Sequence, residues 1–478
     1  MHTRCRCVRL FSLISALMLL MQLAACGDSG TSATNNSFPV VVFSDIHFDP
    51  FYDPSLFEAL NAADVGQWED IFRTSTIAGP SPWGSDTNYP LLTLALSSIK
   101  QNLGASPLII FTGDILGHGL PIQYYEKTHG DPLNPADVAA MKAFLRKTAA
   151  FVMQQIRASA GNIPVMFVLG NSDSYSDIEP ADSGFFSDTA ELYYTEFVSG
   201  AADHQTFITD FTNGGYYAAE PAGTNVMVIG LNTYEFSPFF NDKYADAVSA
   251  QLNWLDNRLA SAQAKGKKVW LLMHVPPGAD KFSTAKSVDS NGHISTATMM
   301  WNQDYQGSQD HQGSFLQILS KYPGVITQTL TAHTHMDEYR IISPGNVAVT
   351  TPSIAPYFGN NPAFKVFTFS RATLKATDYT TMNYDLATMP GQFNRYYTFS
   401  TAYLMDGYLS DSLLQLYPLL FSHNAKQQLY RGNYFSGHNY TIPVGNELSP
   451  ITDKTWPVYW CGIGHMDEQG LIDCVNSY

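Results

Sequence analysis

Five short stretches of this chain end in side chains that could hold metal ions, and four of them begin as an unbroken apolar run while the fifth begins as an apolar run interrupted by Thr327, Gln328 and Thr329. Val40 to Phe43 leads into Asp45 and His47, Leu108 to Phe111 into Asp114 with His118 four residues on, and Val165 to Leu169 into Asn171, Ser172 and Asp173. Val269 to Met273 leads into His274, and Val325 to Leu330 into His333 and His335. Carboxylate, amide and imidazole donors gathered from five segments suit two borderline divalent cations that share one carboxylate. They do not suit a structural zinc site, which is built from thiolates closely spaced in sequence.

Elements must deliver these donors to one place. An apolar run of four to six residues bounded by turn residues reads as a strand covered on both faces, and its carboxyl end is where open α/β folds put their chemistry. Taken alone, Asp114 reads as a helix cap; the recurrence of the pattern favours a site instead. Between the strands, Leu91 to Leu103 and Pro135 to Ile156 carry helical spacing, the latter with proline in its first turn. Strand and helix alternation predicts βαβ units and a mixed, mainly parallel sheet. Gly215 to Ala219 and Val226 to Leu231 read as a hairpin, Ala250 to Ala264 as a helix, and short strands follow at Tyr339 to Ile342, Val347 to Thr350, Lys365 to Phe369 and Leu374 to Tyr379.

The ordered set D-x-H, G-D-x-x-x-H, G-N-x-D, H-x-P-P-G, H-T-H resembles the calcineurin-like metallophosphoesterases. It is most similar to the acid sphingomyelinase-like phosphodiesterases, through the run His333 to Tyr339 and the segment Thr351 to Tyr357 followed by Asn361 to Phe364. The resemblance implies an α/β (α+β) fold, a four-layer αββα sandwich with a helical C-terminal region. It implies two divalent ions, one held by Asp45, His47, Asp114 and His335, the other by Asp114, Asn171, His274 and His333. Zinc is the implied metal, while such donors also accept iron or manganese. Two cations about 3.5 to 4 Å apart lower the pKa of a bridging water to about 7 and polarise phosphoryl oxygens, so a metal-bridging hydroxide attacks phosphorus without a protein nucleophile.

His118, Ser172 and Asp173 are the candidate catalytic residues. Where the family has a histidine beside the departing oxygen, this chain has Ser172, and a serine hydroxyl cannot donate a proton near neutral pH. His118 is then the expected proton donor, reached if Asp114 and His118 share a helix face. The expected activity is hydrolysis of phosphodiester or nucleotide-type small substrates. The alternatives are a sphingomyelin-type lipid hydrolase and a metal-bound binding protein with weak catalysis. Only eighteen residues separate Cys26 from Asp45, leaving no room there for a saposin-like lipid-extracting domain.

Residues 1–25 are basic at Arg4, Arg6 and Arg9, then apolar to Ala25, and read as an export signal too short to span a membrane. Leu23-Ala24-Ala25-Cys26 has the form of a bacterial lipoprotein cleavage box, which predicts a lipid on Cys26, membrane anchoring outside the cytoplasm, and a flexible tether over 26–38. Removing the signal also removes Cys5 and Cys7, so of five cysteines only Cys461 and Cys474 remain to pair as a disulfide. With 45% hydrophobic and 14% charged residues over 478 positions, the chain can bury a large core. A metallophosphoesterase domain is expected over 39–384 and a helical region over 385–478. The net charge of -16 argues against a nucleic-acid groove but not against a small phosphorylated substrate, because bound cations supply local positive charge.

Overall fold

A computed structural model describes residues 36–176, 179–307, 313–438 and 451–478. The export signal, Cys26 and nearly all of the tether lie outside the described residues. From Phe38 to Tyr478 the chain forms one compact unit.

Among the described residues twelve strands form two six-stranded sheets. They are β1 (Ser37–Phe43), β2 (Ile109–Phe111), β3 (Val165–Phe167), β4 (Tyr217–Ala219), β5 (Val226–Leu231), β6 (Lys268–Met273), β7 (Ile326–Thr331), β8 (Tyr339–Ser343), β9 (Asn346–Thr350), β10 (Ala363–Ser370), β11 (Ala376–Asn383) and β12 (Asn394–Thr398). The first sheet runs β12-β11-β10-β1-β2-β3 and the second β4-β5-β6-β7-β9-β8. β1, β2 and β3 are parallel neighbours, as are β5, β6, β7 and β9, so the donor-bearing loops leave the same edge within each group. Antiparallel pairs close the outer positions: β4 on β5, β8 on β9, and β10, β11 and β12 in series.

The sheets pack face to face. Trp270 of β6 stacks on Phe369 of β10 with ring centres 4.0 Å apart, and the Tyr217 hydroxyl of β4 donates to the Phe167 carbonyl of β3 at 2.9 Å. Alternation along β5 and β6 splits their side chains: Val228, Trp270 and Leu272 face this inter-sheet core, while Ile229, Val269 and Leu271 meet the helix Ala245–Ala264 through Val248, Leu255 and Leu259. The helices Tyr89–Gln101 and Pro135–Ala160 pack with β1 to β3, completing the four layers.

Two expectations from sequence are revised. The strand expected over Leu374 to Tyr379 begins at Ala376, because Leu374 takes a left-handed conformation (φ 57°) in the turn before it. The boundary expected at 384 is not a break: β12 adds to the first sheet beyond it, and Phe399, Tyr403, Leu409 and Leu413 join the main core. The helical region beyond it opens with two helices, Phe399–Tyr403 and Leu409–Ser422, separated where Leu404 (φ 55°) and Gly407 (φ 110°) turn the chain.

The last two helices, Trp456–Gly464 and Glu468–Ser477, are joined by the Cys461–Cys474 disulfide. They clamp the segment that follows β6. Asn476 exchanges two hydrogen bonds with the Ile294 backbone, Glu468 accepts from the Ala297 amide, and Gln306 bridges the Gly278 amide to the Met466 carbonyl. Val458, Cys461, Leu471 and Val475 bury themselves against Ala279 and Ile294.

Candidate metal centre

The loops after β1 and β2 continue the sheet's pairing beyond the strands. The Asp45 amide donates to the Gly113 carbonyl at 2.9 Å and the His47 amide to the Asp114 carbonyl at 3.0 Å. Two glycines let these loops meet the one after β3. A Cβ on Gly113 (φ 99°) would lie 2.7 Å from the Gly170 amide, and one on Gly170 would overlap the Asp114 carboxylate. The Thr351–Tyr357 segment laces in from the other side: Ala355 and the Ser353 hydroxyl both donate to the Asp45 carbonyl, and the Ser353 amide donates to the His335 carbonyl.

This crowding is achieved at a cost in backbone strain. Among the described residues ten non-glycine positions have positive φ, and five of them are Asp45, His47, Asp114, His333 and His335. Each such conformation costs about 1–3 kcal/mol and persists only where the surroundings enforce it. Its concentration here marks the loops as built around these side chains.

The structure brings together all seven residues expected to hold metal. Asp114 Oδ2 lies 3.2 Å from His47 Nε2 and 3.1 Å from His274 Nε2, so one carboxylate oxygen sits between two imidazoles. His335 Nε2 is 3.1 Å from His47 Nε2 and 3.5 Å from Asp45 Oδ1. Asn171 Oδ1 is 3.1 Å from His274 Nε2 and 2.7 Å from His333 Nδ1. Asp45, His47, Asp114, His274 and His335 are buried, and Asn171 and His333 are partly exposed toward the cavity above.

Hydrogen bonding behind the site shows that the donors fit cations. His274 Nδ1 donates to the Thr112 carbonyl at 2.7 Å and His47 Nδ1 to the Leu116 carbonyl at 3.1 Å, which leaves each Nε2 lone pair aimed at oxygens that are themselves acceptors. A cation between them relieves that arrangement, as protonation of the Nε2 atoms does in its absence. Neither Asp45 oxygen has a hydrogen-bond partner, and burial pushes its carboxyl up to about 6. Burial pulls the His47 and His274 imidazoles down, yet the Asp114 carboxylate more than offsets this and raises both to about 9. Burial holds the His333 imidazole down at about 3 and His335 well below its ordinary value, so both are neutral donors. Two three-residue groups, Asp45/His47/His335 and Asp45/Asp114/His274, place their donor atoms within 4.8 Å of one another, and the cluster fits a dinuclear metal site.

The three catalytic candidates separate. Asp173 does not face the cavity; its carboxylate accepts from the amides of Asp114, Ile115, Leu116 and Gly170, at 2.8 to 3.4 Å. It positions the loop that carries Asp114, which corrects its grouping with residues that touch substrate. Asp173→Ala leaves four amides unaccepted and is expected to lower stability by about 2–4 kcal/mol and metal affinity roughly 10- to 100-fold. Denaturant titration and metal-binding measurements check this, and wild-type metal affinity in that variant would sink the positioning role. The Ser172 amide donates to Asp114 Oδ1 at 2.8 Å, and its hydroxyl is not on the cavity wall.

His118 does line the cavity, though by a different route from the one expected. The chain after β2 enters no helix until Leu120, because Asp114 (φ 62°) and Gly119 (φ 68°) turn it away. The ring is held instead by Asp86, whose Oδ2 accepts the His118 amide at 2.7 Å and whose Oδ1 lies 2.8 Å from His118 Nδ1. It stacks between His47 and Tyr357, at 4.1 Å from each. Asp86 was not legible as functional in the sequence; its only signal is its place in Pro82 to Asp86, a turn-rich string far from any apolar run.

A cavity of about 300 Å³ opens over the cluster. It is lined by His47, Asp114, Asn171, His333 and His335 of the cluster and, among others, by Lys281, Lys286, Tyr434 and Tyr459.

Comparison with known proteins agrees with this geometry. A cyclic GMP-AMP phosphodiesterase of Rattus norvegicus is 23% identical over 91% of each chain. A sphingomyelinase phosphodiesterase D of Dictyostelium discoideum is 25% identical over 85% of this chain and 89% of its own. The acid sphingomyelinase-like phosphodiesterase 3b of Homo sapiens is 25% identical over 73% of this chain and 71% of its own. Residues 38–337 match the family model described as calcineurin-like phosphoesterase, a span that contains every side chain of the cluster, and the chain belongs to that family.

Proposed function

We propose that the protein is a dinuclear-metal phosphodiesterase acting on small phosphodiester or nucleotide-type substrates. The observation that carries the reading is the single Asp114 oxygen set between His47 and His274 in the lining of an open cavity. Asp45, His47, Asp114 and His335 would hold one cation, and Asp114, Asn171, His274 and His333 the other. When bound, the pair supplies positive charge to the phosphoryl oxygens and a water acidic enough to attack phosphorus near neutral pH. Zinc suits the set, with iron or manganese also matching imidazole and carboxylate donors.

The protein's own groups do the rest. Asp114 is fixed by the Ser172 amide and by the Asp173-held loop, so the shared carboxylate needs no reorganisation. His118, oriented by Asp86, is the proton donor to the leaving group in place of the hydroxyl at Ser172, which cannot serve. Elemental analysis of purified protein, run beside bis-aryl phosphodiester, nucleotide and choline-phosphate substrates, tests the reading. Two metal equivalents with diester turnover support it; a metal-loaded protein inactive on all three would make it a binding protein instead.

A second reading is a sphingomyelin-type lipid hydrolase. It is favoured by the aromatic side chains Phe358, Tyr434, Phe435 and Tyr459 along the cavity, since aromatic faces attract quaternary ammonium groups.

Export with a lipid on Cys26 is part of the proposal and concerns residues outside those described. No helix among the described residues is long and apolar enough to cross a membrane. Cys26→Ser is expected to move the protein from the membrane to the soluble fraction with turnover retained, as fractionation and assay of the soluble pool would show; membrane retention of that variant would count against a lipid anchor.

A further inference from the structure

The cavity lining carries two lysines in a chain of net charge -16, and they differ in what balances them. Lys281 is buried, and its ammonium lies 2.5 Å from Glu338, which also accepts from Arg340 at 3.0 Å; its charge is internal to the fold. Lys286 is exposed at the end of the short Lys281–Ala285 helix. Its ammonium lies 4.1 Å from the centre of the Phe282 ring, and among the described residues no carboxylate is within ion-pair distance of it. The acidic side chain in the same lining, Asp280, accepts the Ser283 amide at 3.0 Å as a helix cap. The ring steadies the ammonium without neutralising it.

We infer that Lys286 forms an anion subsite in the cavity, apart from the metal-facing side chains, so that the preferred substrate carries a second phosphate besides the phosphoester being cleaved. This rests on the phosphoesterase reading and deepens it. An overall acidic surface repels a polyanionic substrate, and a local cation inside the entrance offsets that repulsion where binding occurs. The same cation disfavours a choline head group, and so it weighs against the lipid reading. The wall is well placed to discriminate because it is rigid: Gly462 packs against the Lys281 stem, and the C-terminal helical pair holds the backbone on both sides.

The test compares three nitrophenyl esters on metal-loaded protein. They are thymidine 5′-(p-nitrophenyl phosphate), the same ester bearing a 3′-phosphate, and p-nitrophenyl phosphocholine. The wild type is expected to favour the 3′-phosphorylated ester by roughly tenfold in kcat/KM, through KM, as a charge-assisted contact gives. Lys286→Ala should abolish that ratio, Lys286→Arg keep it, and Lys286→Glu reverse it while improving the choline ester. A wild type that prefers the choline ester, or a ratio that survives in Lys286→Ala, would overturn the subsite. Calorimetric binding of thymidine 3′,5′-bisphosphate against thymidine 5′-monophosphate reads the subsite without turnover. If the bisphosphate binds more tightly through Lys286 and no ester is cleaved, the phosphoesterase reading fails and the subsite stands; equal binding of the two overturns the subsite.

Discussion

Replacing Asp114 by asparagine is expected to release both metal ions together and to lower kcat/KM roughly 10³-fold or more, because Lewis-acid stabilisation of this kind is worth several kcal/mol. The joint loss follows from geometry. Oδ2 lies 3.2 and 3.1 Å from the Nε2 atoms of His47 and His274, which belong to different halves of the cluster, and Oδ1 is already used by the Ser172 amide. An amide in that position keeps the shape and loses the charge that both halves share. By contrast, His333→Ala removes a donor from one half only. Metal content measured on purified variants decides it: one tightly bound ion remaining in Asp114→Asn would show that the carboxylate serves a single site.

His118→Ala is expected to slow hydrolysis of alkyl diesters roughly 10²- to 10⁴-fold while sparing an activated nitrophenyl ester, with metal content unchanged. An alkoxide must be protonated as it departs, whereas a nitrophenolate hardly needs the proton. Two features make His118 suited to that task without being a ligand: it lines the cavity, and the Asp86 carboxylate at Nδ1 fixes the plane of its ring. Asp86→Asn should therefore reproduce part of the alkyl-selective loss. Equal losses on both substrate types in His118→Ala would assign the ring to packing against His47 and Tyr357 instead. Ser172→His provides an independent check, and it should raise the alkyl rate alone.

The cluster was legible in the sequence because its chemistry sits at the ends of buried strands, and a run such as Leu108 to Phe111 followed by Gly113-Asp114 announces both the strand and the site. What could not be read is how the chain turns after each strand. The left-handed conformations of Asp45, His47 and Asp114 are imposed by contacts between loops far apart in sequence, and no residue type at those positions requires them. For the same reason the helix face on which Asp114 and His118 would have met does not form. Asp86 acts through a bond spanning 32 residues, with no periodicity to point to it. β12 was missed because its residues, Asn394 to Thr398, are polar and half exposed at a sheet edge, so burial leaves no alternating pattern there.

The clamp formed by the C-terminal helices also orders events during biogenesis. Every metal-facing loop, and the segment through Tyr357 that laces them, precedes the last 120 or so residues of the chain, whereas Tyr459 and the clamp on Ile294 and Ala297 belong to its final stretch. A nascent chain therefore holds all of its metal-facing loops before the last part of its cavity wall has been made. Tyr459 joins the wall only when residues 456–478 have emerged, and the Cys461–Cys474 disulfide ties their two helices together. The loops that would hold ions are thus complete in the chain before the last part of the cavity wall.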